Sequence, residues 1–228
     1  MSDKYTTAII VAAGDSTRMK CKMSKQLIPL CGRPAIEYTL RAFQDCDLIN
    51  EIIVVARPQD INDIAHTAFT FKKVMAVTAG GSDRAASVRK GIHAASRQTT
   101  HYAIHDGARV LITTEEITRV LNVAYETGAA ALGTPVIDTI KVMGEDGNIL
   151  STPDRRTLCA VQTPQVFEHD LYLRAIDNAV ANGLSVTDDC AMVEALGVPV
   201  RIVRGNFTNI KLTTPSDIVI AEALLKRK

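Results

Sequence analysis

A chain of 228 residues is long enough for one α/β domain with a sizeable core and too short to hold a second comfortably. Hydrophobic residues make up 46% and charged residues 22%, the balance of a globular protein. Lys plus Arg number 26 against 25 for Asp plus Glu, and a net charge of +1 gives no electrostatic reason for a nucleic-acid or membrane partner. Any positive charge that matters must be local.

The N-terminal MSDKYTTAIIVAAG is polar and then apolar for too short a run to make a signal peptide. No apolar stretch approaches the ~20 residues needed to cross a bilayer, and a cytoplasmic protein is expected. Short β-rich runs then alternate with helical patterns. Thr6–Ala12, Glu51–Ala56, Lys73–Thr78, Tyr102–Asp106 and Ala129–Val136 read as buried strands. Arg33–Gln44, Gln59–Phe69, Arg84–Ser96 and Thr114–Gly128 space their apolar residues as helices do. Strand then helix, repeated, predicts an α/β fold with a mostly parallel sheet covered on both faces.

After Val136 the alternation breaks. Residues 137–164 read as two extended segments about the turn EDGN, an inserted arm with few large apolar residues to bury on its own. Such an arm is more comfortable packed on something else, and a second subunit is one candidate. The pattern resumes with a helix ending at Gly183, a shorter helix capped by Thr187 or Asp188, a strand over Val198–Gly205, and a final helix with Pro215 in its first turn. One domain, 1–228, with an inserted arm is the economical description. Cys21, Cys31, Cys46, Cys159 and Cys190 are odd in number, scattered and without a C-x-x-C pair, so reduced thiols are expected in place of a disulfide framework or zinc site.

Ligands in doubly wound sheets bind beyond the carboxyl ends of the strands. The first strand runs into Ala12, Ala13 and Gly14, then into a basic loop carrying Arg18, Lys20, Lys22 and Lys25. Neither G-x-x-x-x-G-K-[ST] nor G-x-G-x-x-G is present there. The loop offers instead small residues that let the backbone approach a ligand closely, and two spaced cations, Arg18 and Lys25, whose long side chains can fold back on a triphosphate. Taken alone, either cation could be a solvated loop charge. Asp106 could likewise be a turn cap, and Thr139 and Thr163 ordinary strand residues.

The segments AAGDSTRM, SKQL, PAIEYTLRAF, GGSDRAASVRKGI, HDGARVL, TPVIDTIK, QTPQVF, TDDCAMVEALG and NFTNIKLTTPSDIVIAEALL carry a joint signal. In order and spacing they resemble the 2-C-methyl-D-erythritol 4-phosphate cytidylyltransferases of the non-mevalonate isoprenoid pathway, from about Ala8 to Leu225. The resemblance implies a Rossmann-like sheet with an extended β-arm used for dimerisation, and a homodimer with composite sites. It also implies CTP and a polyol phosphate as substrates, with Mg²⁺ as cofactor. Arg18 and Lys25 fall where the family stabilises the transition state. Ala12, Ala13, Gly14, Gly81, Ser82 and Ser87 fall on the cytidine pocket. Asp106, Ala108 and Arg109 fall on the ribose, metal and phosphate region, with Asp106 beside the metal. Thr139, Arg155, Thr163 and Lys211 match the positions that hold the acceptor, Arg155 on the arm.

Three residues depart from the family pattern: Ser16, where a second glycine is usual, Asp15, which adds a carboxylate close to the phosphate path, and Val110, where proline is usual. The resemblance leaves rivals: a ribitol 5-phosphate cytidylyltransferase, a purine- or uridine-specific sugar nucleotidyltransferase, and a catalytically silent nucleotide-binding relative. His105 reads as structural, because a phosphate nucleophile has no proton to give up.

Overall fold

The burial of the first strand decides the architecture. In β1 (Thr6–Ala12), Ala8, Ile10 and Ala12 pack into one core cluster and Ile9 into another, the period-2 alternation of a strand covered on both faces. This computed structural model describes residues 4–14 and 24–227. A small hairpin of β2 (Pro29–Leu30) and β3 (Arg33–Pro34) leads into α1 (Ala35–Gln44). Then follow β4 (Glu51–Ala56), α2 (Ile61–Ala68), β5 (Val74–Ala79), α3 (Arg84–Ala94), β6 (His101–Asp106), α4 (Thr114–Thr127) and β7 (Ala129–Pro135). The helix α4 begins on a capping box between Thr113 and Glu116 and stops at Gly128, whose φ of +80° is open to glycine without strain.

The parallel strands β1, β4, β5 and β6 match the sequence expectation in kind and place. The excursion after β7 folds back on itself through β8 (Val142–Met143) and β9 (Ile149–Ser151), every residue of which is exposed. Gly147, at φ +81°, makes the turn between them. At its base Val136 N–H donates to Leu158 O at 3.4 Å.

The second limb does not stay extended in solvent. It enters the main sheet as β10 (Cys159–Glu168), antiparallel to both β6 and β7. The chain continues through α5 (His169–Ala181), α6 (Asp189–Glu194), β11 (Arg201–Arg204) and α7 (Pro215–Leu225). Asp188, one of the two caps that the sequence offered, caps α6, and Pro215 occupies the first turn of α7. The seven-stranded sheet has the order β11-β7-β10-β6-β1-β4-β5, parallel except for β10.

One core joins α1, α2 and α4 to the sheet through Ile36, Leu40, Phe43, Ile64, Ile117 and Leu121. The other joins α3, α5 and α6 to the opposite face through Val88, Leu171, Tyr172, Ile176 and Val193. Each of these large side chains stabilises the fold by roughly 1.5–3 kcal/mol of apolar burial, which makes the sheet a rigid platform. A third cluster seats α7 against Leu30, Ala108, Val110 and Leu212. Val110 is a packing residue there, which accounts for an apolar side chain at this departure from the family pattern.

Candidate active site

Between β4 and β6 the strand order reverses about β1, the topological switch point at which doubly wound sheets leave a crevice. A cleft of about 400 Å³ opens there. Its lining brings together Ala13, Gly14, Lys25, Gly81, Ser82, Ser87, Asp106, Ala108 and Lys211, nine residues singled out in the sequence. Ala12 lies beneath it in the core. Arg18 is outside the described residues, as are Asp15, Ser16 and Cys21.

The loop after β5 owes its course to two glycines. A Cβ on Gly80 would collide with Ala13 Cβ and one on Gly81 with Ala86 Cβ, so the loop can lie this close to β1 and α3 only without side chains. Ser87 Oγ locks it, donating to Asp83 O at 2.8 Å and accepting from Gly81 N–H at 3.0 Å. The hydroxyl proton is thereby committed and one lone pair is left. Such an oxygen can accept a further hydrogen bond from a ligand but cannot donate one.

Asp106, at the end of β6, is the electrostatic centre. Lys211 Nζ stands 2.9 Å from Oδ2, Arg109 Nε 3.6 Å from Oδ2 and Arg84 Nε 3.6 Å from Oδ1. Burial pushes its carboxyl up, but Lys211, Arg84 and Arg109 outweigh burial and hold it well below the usual carboxylate range. Three cations face two carboxylates, Asp106 and, on the far side of Arg84, Asp189, which leaves the cluster net positive on a nearly neutral protein. The Lys25 side chain adds a fourth cation, its Nζ donating to Leu212 O at 3.1 Å. Arg109 is aimed by a hydrogen bond from Nη1 to Asn209 O at 2.8 Å.

Behind Asp106 runs a chain of hydrogen bonds whose direction follows from its ends. Arg109 O can only accept, so His105 Nε2, 3.3 Å away, carries the proton and Nδ1 is the acceptor. Thr163 Oγ1 therefore donates to Nδ1 at 3.0 Å and accepts from Asp106 N–H at 3.0 Å. Burial pushes the His105 pKa down to about 3, so the ring stays neutral and holds the turn without exchanging protons. Thr163 thus supports the cleft from behind, at the irregularity between Val161 and Gln165 where β10 shifts register against β7.

Thr139 and Arg155 lie on the arm, exposed and outside the cleft, with Arg155 Nη1 donating to Ile137 O at 2.9 Å. The cleft also contains residues not singled out from the sequence: Gln26, Arg57, Gln59, Asp83 and Arg84. Arg57 pairs with Asp60 through both Nε and Nη2. The placement of Arg57 and Gln59 directly after β4, and of Arg84 directly after the GGSD loop, was the signal that could have found them. Among the described residues no group of three or more His, Cys, Asp or Glu side chains could hold a metal ion. Asp106 and Asp83 are the carboxylates in the cleft lining, which fits an ion held mainly by ligand phosphates and not a cage built by the protein.

A switch-point cleft with a floor of small residues, a glycine-built loop and a ring of cations defines an α/β protein made for a phosphorylated nucleotide. Residues 6–227 match the family described as 2-C-methyl-D-erythritol 4-phosphate cytidylyltransferase. Relatives of that name from Caldanaerobacter subterraneus subsp. tengcongensis and Desulforamulus reducens are 44% and 42% identical. Each alignment covers 97% of this chain, with 99% and 96% of the respective relative. The crystal structure of 4-diphosphocytidyl-2C-methyl-D-erythritol synthase from Anaerococcus prevotii superposes with a TM-score of 0.89 at 30% identity, covering 98% of this chain and 97% of that one. The 2-C-methyl-D-erythritol 4-phosphate cytidylyltransferase of Thermus thermophilus gives 0.79 at 34%, covering 98% and 99%. The chain belongs to the 2-C-methyl-D-erythritol 4-phosphate cytidylyltransferase family, and is a nucleotidyltransferase.

Proposed function

We propose that the chain transfers CMP from CTP to 2-C-methyl-D-erythritol 4-phosphate, giving 4-diphosphocytidyl-2-C-methyl-D-erythritol and pyrophosphate, a step of non-mevalonate isoprenoid synthesis. The observation that carries this reading is the ring of cations around Asp106 in the switch-point cleft. Two anions must meet for the reaction to proceed, and that ring lowers the cost of bringing them together.

An oxygen of the acceptor phosphate attacks the α-phosphorus of CTP, the bond to the bridging oxygen breaks in line, and pyrophosphate leaves with the bonding electrons. The nucleophile is already an anion, so no general base is needed, in keeping with a buried, neutral His105. Catalysis is positioning plus charge stabilisation. Lys25 and Arg18 neutralise charge growing on the α-phosphate and leaving group. Lys211 and Arg109, with Thr163 behind them, hold the acceptor phosphate. Asp106 is the cleft carboxylate that would help a bound triphosphate hold Mg²⁺, and the ion when bound would supply further charge neutralisation.

The remaining lone pair of Ser87 Oγ favours a base that presents an amino group over one that presents a carbonyl oxygen. Cytosine carries the first at its 4-position and uracil the second, which supports CTP over UTP.

The arm is the dimerisation element in this reading. Ile137, Val142, Met143, Ile149 and Leu150 are 43–67% exposed on it, apolar surface that the chain itself leaves uncovered. A second copy covering them would bring Thr139 and Arg155 to the partner's cleft to complete the acceptor site. No described helix is long and apolar enough to cross a membrane, and the enzyme works in the cytoplasm in this reading.

The test is pyrophosphate release from the purified protein with Mg²⁺, each of the four nucleoside triphosphates and either methylerythritol 4-phosphate or ribitol 5-phosphate. Turnover is expected with CTP and the methylerythritol acceptor. Faster turnover with ribitol 5-phosphate would replace the acceptor, and no turnover with CTP and either one would sink the enzyme reading.

A further inference from the structure

Arg84 lies between two carboxylates that belong to different parts of the fold. Its Nη1 donates to Asp189 Oδ2 at 2.6 Å, whereas its Nε stands 3.6 Å from Asp106 Oδ1. The first contact is a charge-assisted hydrogen bond and the second an ion pair beyond hydrogen-bonding length. Asp189 is fully buried and is fixed from several sides. Tyr172 of α5 donates its hydroxyl to Oδ1 at 2.6 Å. Gln165 of β10 accepts from the backbone N–H of Asp189 at 3.0 Å and of Cys190 at 3.2 Å, and its amide donates to Asp188 Oδ2 at 2.8 Å. A carboxylate held in this way cannot follow a guanidinium on a flexible side chain, so Arg84 must come to it. A fully buried aspartate is costly unless paired, and the chemistry described above makes no use of one behind the cleft.

We propose that Asp189 is a positioning residue that draws the Arg84 guanidinium away from Asp106 and so leaves Asp106 Oδ1 available to the bound nucleotide. The inference rests on the nucleotide reading of the cleft. Without the charge on Asp189, Arg84 has Asp106 as its remaining carboxylate. A guanidinium fork pairs bidentately with a carboxylate when nothing restrains it. Arg84 would then close the 3.6 Å gap and occupy Asp106 Oδ1. Asp189 thereby acts on nucleotide affinity without touching the nucleotide.

Asp189→Asn keeps the side chain's size and an oxygen for the Tyr172 hydroxyl while removing the charge. The CTP dissociation constant from calorimetry, and KM for CTP, are expected to rise about 10-fold, the scale of one hydrogen bond to a charged group. In an Arg84→Gln background the same substitution should change neither value, because Asp189 acts only through Arg84. A purely structural role would shift both backgrounds alike. If the Asn variant does not fold, Tyr172→Phe takes its place, with an expected shift of about 3-fold in the same direction that vanishes with Arg84→Gln. Unchanged CTP affinity in the folded variant, or an undiminished effect without Arg84, would overturn the role assigned to Asp189. Wild-type protein that binds no CTP would overturn the nucleotide reading itself.

Discussion

Lys25 stands where the chain's own structure and the proposed chemistry meet. It is nearly buried, its ammonium is anchored on Leu212 O at 3.1 Å, and Leu212 N–H in turn donates to Ala108 O at 2.9 Å on the cleft wall. A cation fixed in this way costs no reorganisation when charge develops on the phosphate. Lys25→Ala and Arg18→Ala should each depress kcat/KM by at least ~10², as removing one transition-state donor commonly does. Single-turnover kinetics of both variants would check this, and near-wild-type rates would show these cations to be bystanders. Two histidines set a pH dependence of stability. Burial lowers His105 to about 3, and burial with Lys4 nearby lowers His101 to about 4, both from 6.5. Between those values and 6.5 the unfolded chain binds more protons than the folded one, so stability falls as pH falls through that window. Urea midpoints measured from pH ~7 to ~5 should decline, and those of His105→Gln should decline less steeply. The cleft residues Lys25, Asp106 and Lys211 were legible in the sequence because they follow strands or sit in motifs. Arg84 was passed over despite its place directly after the GGSD loop, because its partner Asp189 is 105 residues away and each charge alone looks like part of a helix start.

The elements were legible wherever burial on both faces made continuous apolar runs, as in β1, β4 and β6. The direction of β10 was not. An antiparallel strand buried between β6 and β7 presents the same period-2 pattern as a parallel one, and its direction follows from the arm, which reverses the chain before it. Its junction with β6 matters for the site, because that is where Thr163 reaches the Asp106 amide. The loop between β5 and α3 was legible as a ligand loop only through the family resemblance of GGSDRAASVRKGI, and the reason for each glycine is steric and visible only in three dimensions. Gly81→Ala forces a methyl group onto Ala86, and overpacking of this kind costs ~1–3 kcal/mol. Calorimetry should show weakened CTP binding and a lowered Tm for that variant. Unchanged affinity would mean that the loop does not hold the base.

At the scale of the whole molecule, the proposed dimer would account together for the exposed apolar arm and for Thr139 and Arg155 lying outside the cleft of their own chain. Mixing Lys25→Ala with Arg155→Ala protein tests it. A heterodimer has one site with both substitutions and one with neither, so a mixture of the two weak variants should recover about a quarter of the wild-type rate if subunits exchange at random. If cross-linked heterodimers show only the average of the parents, the sites are not shared. Whether CMP is transferred at all is read by ³¹P NMR of the protein with Mg²⁺, CTP and 2-C-methyl-D-erythritol 4-phosphate. The monophosphate signal should be replaced by the two coupled resonances of a diphosphate bridge, with one pyrophosphate released for each bridge formed. Spectra that retain only CTP and the monophosphate, or that show pyrophosphate without the coupled pair, would contradict the proposed transfer.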